Sequence, residues 1–219
     1  MHRNIVSKSV FMSKTPYVYA RVMSKIEESA ENSIFFLTDF ANEGAIETVR
    51  KVLGEACSEG KLSHIAHGIY VKPKKSSFGM VPPPMEQIAL AIAERDHVKI
   101  MPTGATAANI IGLSTQIPMT FSYLTTGSTR NINIGNRVLK FKRAAPRNFA
   151  YHGTSIALVV QALKEIGKEN VNSKEKSAIY NFLLNSDDKQ FHNEDALLAP
   201  QWIQAMIRPM INSMEAKPK

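Results

Sequence analysis

Residues 45–72 read AIETVRKVLGEACSEGKLSHIAHGIYVK, one helical pattern followed by two short β patterns. Ile46, Val49, Val52, Leu53 and Ala56 recur at helical spacing on one stripe, while Glu47, Thr48, Arg50, Lys51 and Glu55 point elsewhere. Gly60 supplies the stop. Leu62 to Ala66 and Gly68 to Lys72 are then two short β-patterned runs that pivot on His67-Gly68, which is hairpin chemistry. Upstream, Val18, Val22 and Ile26, with Ala30 next in the series, predict a helix over about residues 16–30. Ile34-Phe35-Phe36-Leu37 is β-prone, and Thr38 is placed to cap a brief helix before a turn at Gly44. Helix, short helix, turn, helix and hairpin is the order of a winged helix-turn-helix, so residues 17–75 are read as a DNA-binding domain of that type, preceded by a basic arm over residues 1–16.

Downstream, the stretch from Lys72-Pro73 to Pro82-Pro83-Pro84 cannot continue a helix and is expected to be an extended, semi-rigid connector. A helix over 85–95, a strand over 98–101 and a small-residue helix over about 105–111 follow. Residues 120–124, 130–134 and 137–142 then alternate as strands, with turns at Gly127 and Gly135-Asn136, and are expected to form an antiparallel meander. The last third reads as helices over about 155–166, 174–184 with Ser173 as N-cap, and 201–214, where Pro209 is expected to kink or end the helix. The fold class is therefore α+β: an N-terminal winged helix-turn-helix, then a mixed domain over 76–219 with a β-meander and C-terminal helices.

The 219 residues are 44% hydrophobic and 21% charged, too apolar for a disordered chain. No apolar stretch approaches the roughly 18 residues of a membrane span, and no secretory signal is read at the N-terminus, although an organellar transit peptide stays open. The single cysteine, Cys57, excludes an intrachain disulfide and fits a reducing cytosol, so a cytoplasmic location is expected. The formal charge is +8, distributed as +3 over residues 1–80, +5 over 81–150 and zero over 151–219. Such a basic front portion attracts polyanions.

The recognition-helix candidates are Thr48, Arg50 and Lys51, where Thr48 or Arg50 would read bases and the cations would meet phosphates; Lys61, His64, His67, Lys72, Lys74 and Lys75 extend that surface along the wing. The alternative is an ordinary solvated helix face, or a winged module that binds protein. A second basic surface, Arg130, Arg137, Lys140, Lys142, Arg143 and Arg147, contains no acid among its members; it is either a protected sheet edge or a face for a polyanion or acidic partner. Cys57, His64 and His67 lack a fourth ligand for zinc, so no metal and no cofactor are expected. Pro102-Thr103-Gly104 lacks the lysine and length of a phosphate loop, Glu94, Asp96 and Lys99 are a weak nuclease-like group, and the Gly-flanked serines, Ser155 among them, do not have the spacing of a nucleophile elbow. The residues point to a binding protein and not to an enzyme, with a nucleic-acid enzyme subunit as the competing class.

The string Met101-Pro102-Thr103-Gly104-Ala105-Thr106-Ala107-Ala108-Asn109, continued by Gly112-Leu113-Ser114-Thr115-Gln116-Ile117-Pro118 and Leu124-Thr125-Thr126-Gly127-Ser128-Thr129-Arg130, with His67-Gly68-Ile69-Tyr70-Val71-Lys72-Pro73 at the wing, resembles the AbiEi-like antitoxin family of type IV toxin–antitoxin systems. The resemblance spans about residues 21–207. It implies a winged helix-turn-helix that binds its own operator DNA, joined to a C-terminal domain that opposes a cognate nucleotidyltransferase-like toxin. It assigns no residue to toxin contact, and Gly104, Gly112, Gly127 and Asn109 are equally read as turn and packing positions.

Overall fold

A computed structural model describes residues 15–76 and 79–216, with the backbone alone for residues 15, 16, 75, 76, 79 and 80. The arm expected over residues 1–16 therefore lies outside the described residues, apart from the backbone of its last two. The chain is α+β and divides into two compact units, residues 1–91 and 92–219.

In the first unit, α1 (Thr15–Glu28) turns Val18, Val22, Met23 and Ile26 inward, and α2 (Ile46–Ser58) answers with Val49, Val52, Leu53 and Ala56. Phe35, Phe40, Leu62 and Tyr70 close the same cluster. Burying each large aliphatic or aromatic side chain stabilises by about 1.5–3 kcal/mol, so this cluster holds the helices together. Between them run β1 (Ile34–Phe36) and a single 3₁₀ turn, Leu37–Phe40. Thr38 is exposed and does not cap that turn. Asp39 closes it instead, its carboxylate accepting from the Phe36 backbone N–H at 2.8 Å, because the third position of the turn is the one whose side chain reaches back to the N-cap N–H. The hairpin forms as expected: β2 (Ser63–Ala66) and β3 (Ile69–Val71) are antiparallel, and Gly68 takes φ +67°, a left-handed conformation that suits glycine. Strand β1 adds to the other side of β3, giving the order β1-β3-β2.

The expected connector holds more structure than its prolines suggested, because β4 (Lys74–Ser76) pairs antiparallel with β5 (Gly79–Val81). The prolines fall outside both strands, where their missing N–H costs nothing. Helix α3 (Met85–Arg95) follows, and the division between the units falls within it.

The second unit begins with β6 (Ile100–Pro102) and α4 (Gly104–Ile110), then β7 (Thr120–Thr125), β8 (Arg130–Ile134) and β9 (Arg137–Arg143). These strands are not the expected meander. The order is β6-β7-β9-β8, with β9 parallel to β7 and antiparallel to β8. The β8–β9 hairpin turns at Gly135-Asn136, but residues 126–129 do not make a hairpin. At roughly 3.3 Å per residue they reach across two strand spacings of about 4.8 Å, leaving a place that β9 fills. Tyr123, Leu139 and Phe141 are buried on one face of this sheet.

The helices α5 (Ser155–Ile166), α6 (Ser173–Leu184), α7 (His192–Ala196) and α8 (Gln201–Glu215) pack with α4 around Ile156, Val160, Leu163, Ile179, Leu183, Ile203 and Ile207. The cap of α6 is Asn172, not Ser173: its Oδ1 accepts from Lys174 N at 2.8 Å, and Glu175 Oε2 accepts from Asn172 N at 3.2 Å. Helix α8 runs through Pro209 to Glu215 without ending, since its buried stripe Ile203, Ile207 and Ile211 holds both sides of the proline. Among the described residues no helix is long and apolar enough to cross a membrane.

Candidate functional site

On α2 the buried stripe faces α1, and Glu47, Arg50 and Lys51 are left exposed on the other side, with Thr48 half-buried. Arg50 Nη1 lies 2.8 Å from Glu47 Oε1, a surface pair one helical turn apart that contributes little to stability. Lys51 has no ion pair among the described residues. On the hairpin, His64 is exposed with its ring 5.1 Å from that of Tyr70, and His67 is exposed at the turn. Burial pushes the Tyr70 phenol above its ordinary pKa, aided by Cys57 and opposed by the Arg50 charge.

Other cations expected on this surface are engaged. Lys72 Nζ donates to the carbonyls of Glu27, at 2.8 Å, and Ser29, so it closes the C-terminal end of α1 and is not free for phosphate. Lys61 pairs with Glu59 at 2.9 Å, which raises the lysine pKa and lowers that of Glu59. Lys74 is exposed on β4, and Lys75 belongs to the same strand, with its side chain outside the described residues. The structure thus leaves Arg50 and Lys51 exposed on α2 and His64 exposed on the hairpin, and withdraws Lys72.

In the second unit the basic residues separate into two groups. Arg130 is bonded to Asp96, with its guanidinium 5.4 Å from the Phe141 ring centroid, and Arg95 holds the other oxygen of Asp96 at 2.8 Å. Burial alone would raise the Asp96 pKa, but the two guanidinium groups bring it below its ordinary value. Arg130 is therefore a sheet anchor, not part of an open surface. Lys140 and Lys142 alternate outward from Leu139 and Phe141 and are exposed, as are Arg137, Arg143 and Arg147. Arg137 lies over Phe121, 5.9 Å from its centroid. Residues 97–164 contain no Asp or Glu, so their own segment offers these cations no acid.

A third constellation escaped the sequence reading. The start of α5 is closed by two aspartates from far along the chain. Asp188 accepts from the backbone N–H groups of Thr154, at 2.6 Å, and Ser155, at 2.9 Å, and from the Ser155 hydroxyl. Asp195, 1% exposed, accepts from His152 N and Gly153 N, each at 2.8 Å. His192 is buried beside them, its Nε2 3.0 Å from Ser186 Oγ and 3.4 Å from Asp188 Oδ1. Burial holds its pKa below the ordinary value, against the pull of Asp188 and Asp195. Ser155 donates to an ionised carboxylate and does not touch the imidazole, so the arrangement caps a helix and does not activate a nucleophile. Only the Gly-Thr-Ser start of the helix was visible in sequence; its partners lie more than thirty residues on. Next to this latch a groove of about 680 Å³ runs between the end of α4, α5 and α6. Among the described residues no three His, Cys, Asp or Glu side chains gather as a metal ion requires.

A family model described as a family of unknown function, DUF6088, matches residues 21–191. No curated protein matches the chain.

Proposed function

We propose that this chain, which belongs to the family DUF6088, is a DNA-binding transcriptional autoregulator and the antitoxin of a type IV toxin–antitoxin pair, opposing a nucleotidyltransferase-like toxin. The observation that carries the DNA-binding part is the first unit's arrangement. A helix, a strand, a 3₁₀ turn, a second helix and a hairpin, with sheet order β1-β3-β2, suit a winged helix in which α2 is the recognition helix. The solvent side of α2 carries Arg50 and Lys51, and the hairpin beside it carries His64 and His67. Lysine and arginine contacts to phosphate would supply affinity, and Thr48 or Arg50 would read base edges. The antitoxin part rests on the likeness of residues 101–109, 112–118 and 124–130 to the AbiEi-like antitoxin family and is assigned to the second unit.

A titration of the full chain against its upstream DNA tests the first part. Arg50→Ala with Lys51→Ala should weaken binding and flatten the salt dependence by about one unit for each phosphate the variant no longer neutralises. Unchanged affinity and slope would remove α2 from the interface. Growth rescue on co-expression with an adjacent nucleotidyltransferase-like gene product tests the second part, and failure of the intact chain to rescue would refute it.

A further inference from the structure

The Gly-Leu-Ser-Thr-Gln-Ile-Pro run has a structural outcome that DNA binding does not use. Asn109 Nδ2 donates to the carbonyls of Ser114, at 3.0 Å, and Gln116, at 3.1 Å, and clasps the loop that leaves α4. At its far end the Met119 carbonyl accepts from Val138 N at 3.0 Å, on strand β9. Leu113 packs onto the helical core. A loop tied at both ends nevertheless holds Ile117 and Met119 out, 66% and 60% exposed. Two apolar side chains on a fixed backbone form a knob whose ordering cost is already met before anything binds.

The same unit contains a receptor for such a knob. The 680 Å³ groove is lined by the apolar Ile110, Leu158 and Phe182 beside polar residues, Asp187 among them. Asp187 is exposed and has no ion pair among the described residues. The knob is bordered by the opposite charge: Val138 N holds Met119, and the preceding residue, Arg137, is exposed and likewise without an ion pair among the described residues. Gly112 lines the groove and opens the loop that carries the knob, so a short run of chain joins the two features. A two-fold axis between complementary features makes the contact reciprocal and closed, as an isologous dimer requires.

We propose that this protein forms a two-fold dimer in which Ile117 and Met119 of each copy seat in the α5–α6 groove of the other, with Arg137 against Asp187 of the facing copy. The inference is independent of the DNA-binding reading, because every residue it uses lies in the second unit.

Sedimentation velocity of the full chain, treated with nuclease and run over a concentration series, tests it. A monomer–dimer equilibrium is expected. Ile117→Asp and Met119→Asp should each raise the dissociation constant at least about tenfold, since each puts a carboxylate into an apolar groove on both sides of the two-fold axis. Asp187→Arg should weaken the dimer, and adding Arg137→Asp to it should recover part of the loss. Circular dichroism and melting unchanged by these exposed substitutions keep a folding defect out of the comparison. A chain that stays monomeric at every concentration overturns the proposal, and so does a dimer indifferent to Ile117→Asp, Met119→Asp and Asp187→Arg.

Discussion

Replacing Asp188 by Asn should cost the second unit about 2 kcal/mol at neutral pH, and the cost should vanish in acid. The Asp188 carboxylate is 18% exposed, so water screens it only in part. Burial by itself would raise its pKa, but the Ser155 hydroxyl, the N–H groups of Ser155 and Thr154, and His192 outweigh that effect and push the pKa from 3.8 down to about 2. A folded-state value below the unfolded one means that the stabilisation is fully present above the unfolded value and is lost as pH falls through 3.8 towards 2. At about 1.4 kcal/mol per unit, nearly two units come to about 2.5 kcal/mol, and residual screening brings this to about 1.5–2.5. Asparagine keeps the shape but turns one acceptor into a donor aimed at an N–H group. Urea unfolding followed by the fluorescence of Trp202, the single tryptophan and a member of the helical core, reads the second unit. With a slope of roughly 1.5 kcal/mol per molar, the midpoint should fall by about 1–1.7 M at pH 7. That gap should hold to pH 5 and narrow below pH 4. Equal midpoints at pH 7, or a gap that persists undiminished at pH 3, would refute the latch as the source of the shift.

Two glycines should respond in opposite directions. Gly153→Ala should destabilise by more than about 2 kcal/mol, because a Cβ there runs into the Asp188 carboxylate, whereas Gly54→Ala, in α2 with no atom within 4 Å of the added carbon, should stabilise by about 0.5–1 kcal/mol in thermal melts. Lys72→Met should lower the stability of the first unit by about 1 kcal/mol while leaving the salt slope of DNA binding unchanged, since the lysine serves the carbonyls at the end of α1; a flattened slope would return Lys72 to the interface.

The helices and the first hairpin were legible in the sequence because their signals are local. Val49, Val52, Leu53 and Ala56 repeat at the helical period, and His67-Gly68 supplies a turn wherever the chain goes next. The pairing of β7 with β9 was not legible, because alternation specifies which side of a strand is buried and is silent on which strand lies beside it. Parallel neighbours in that sheet depend on residues 126–129 reaching past a vacant place, a length that serves a hairpin equally well. Charge obeys the same division. Composition counts cations, but their availability depends on acceptors elsewhere: Lys72 is taken by carbonyls of residues 27 and 29, and Arg130 by Asp96. The closing of α5 shows the limit from the acidic side. Asp188 and Asp195 sit in a segment of zero net charge that reads as solvated surface, and only folding brings them onto five N–H and O–H donors of residues 152–155. Once engaged cations are subtracted, what remains of the two expected basic surfaces among the described residues is Lys51, Lys74 and Arg50, held only by a surface pair, in the first unit, and Arg137, Lys140, Lys142, Arg143 and Arg147 in the second. Charge substitutions confined to those residues separate binding from folding, and substitutions at Lys72 or Arg130 cannot.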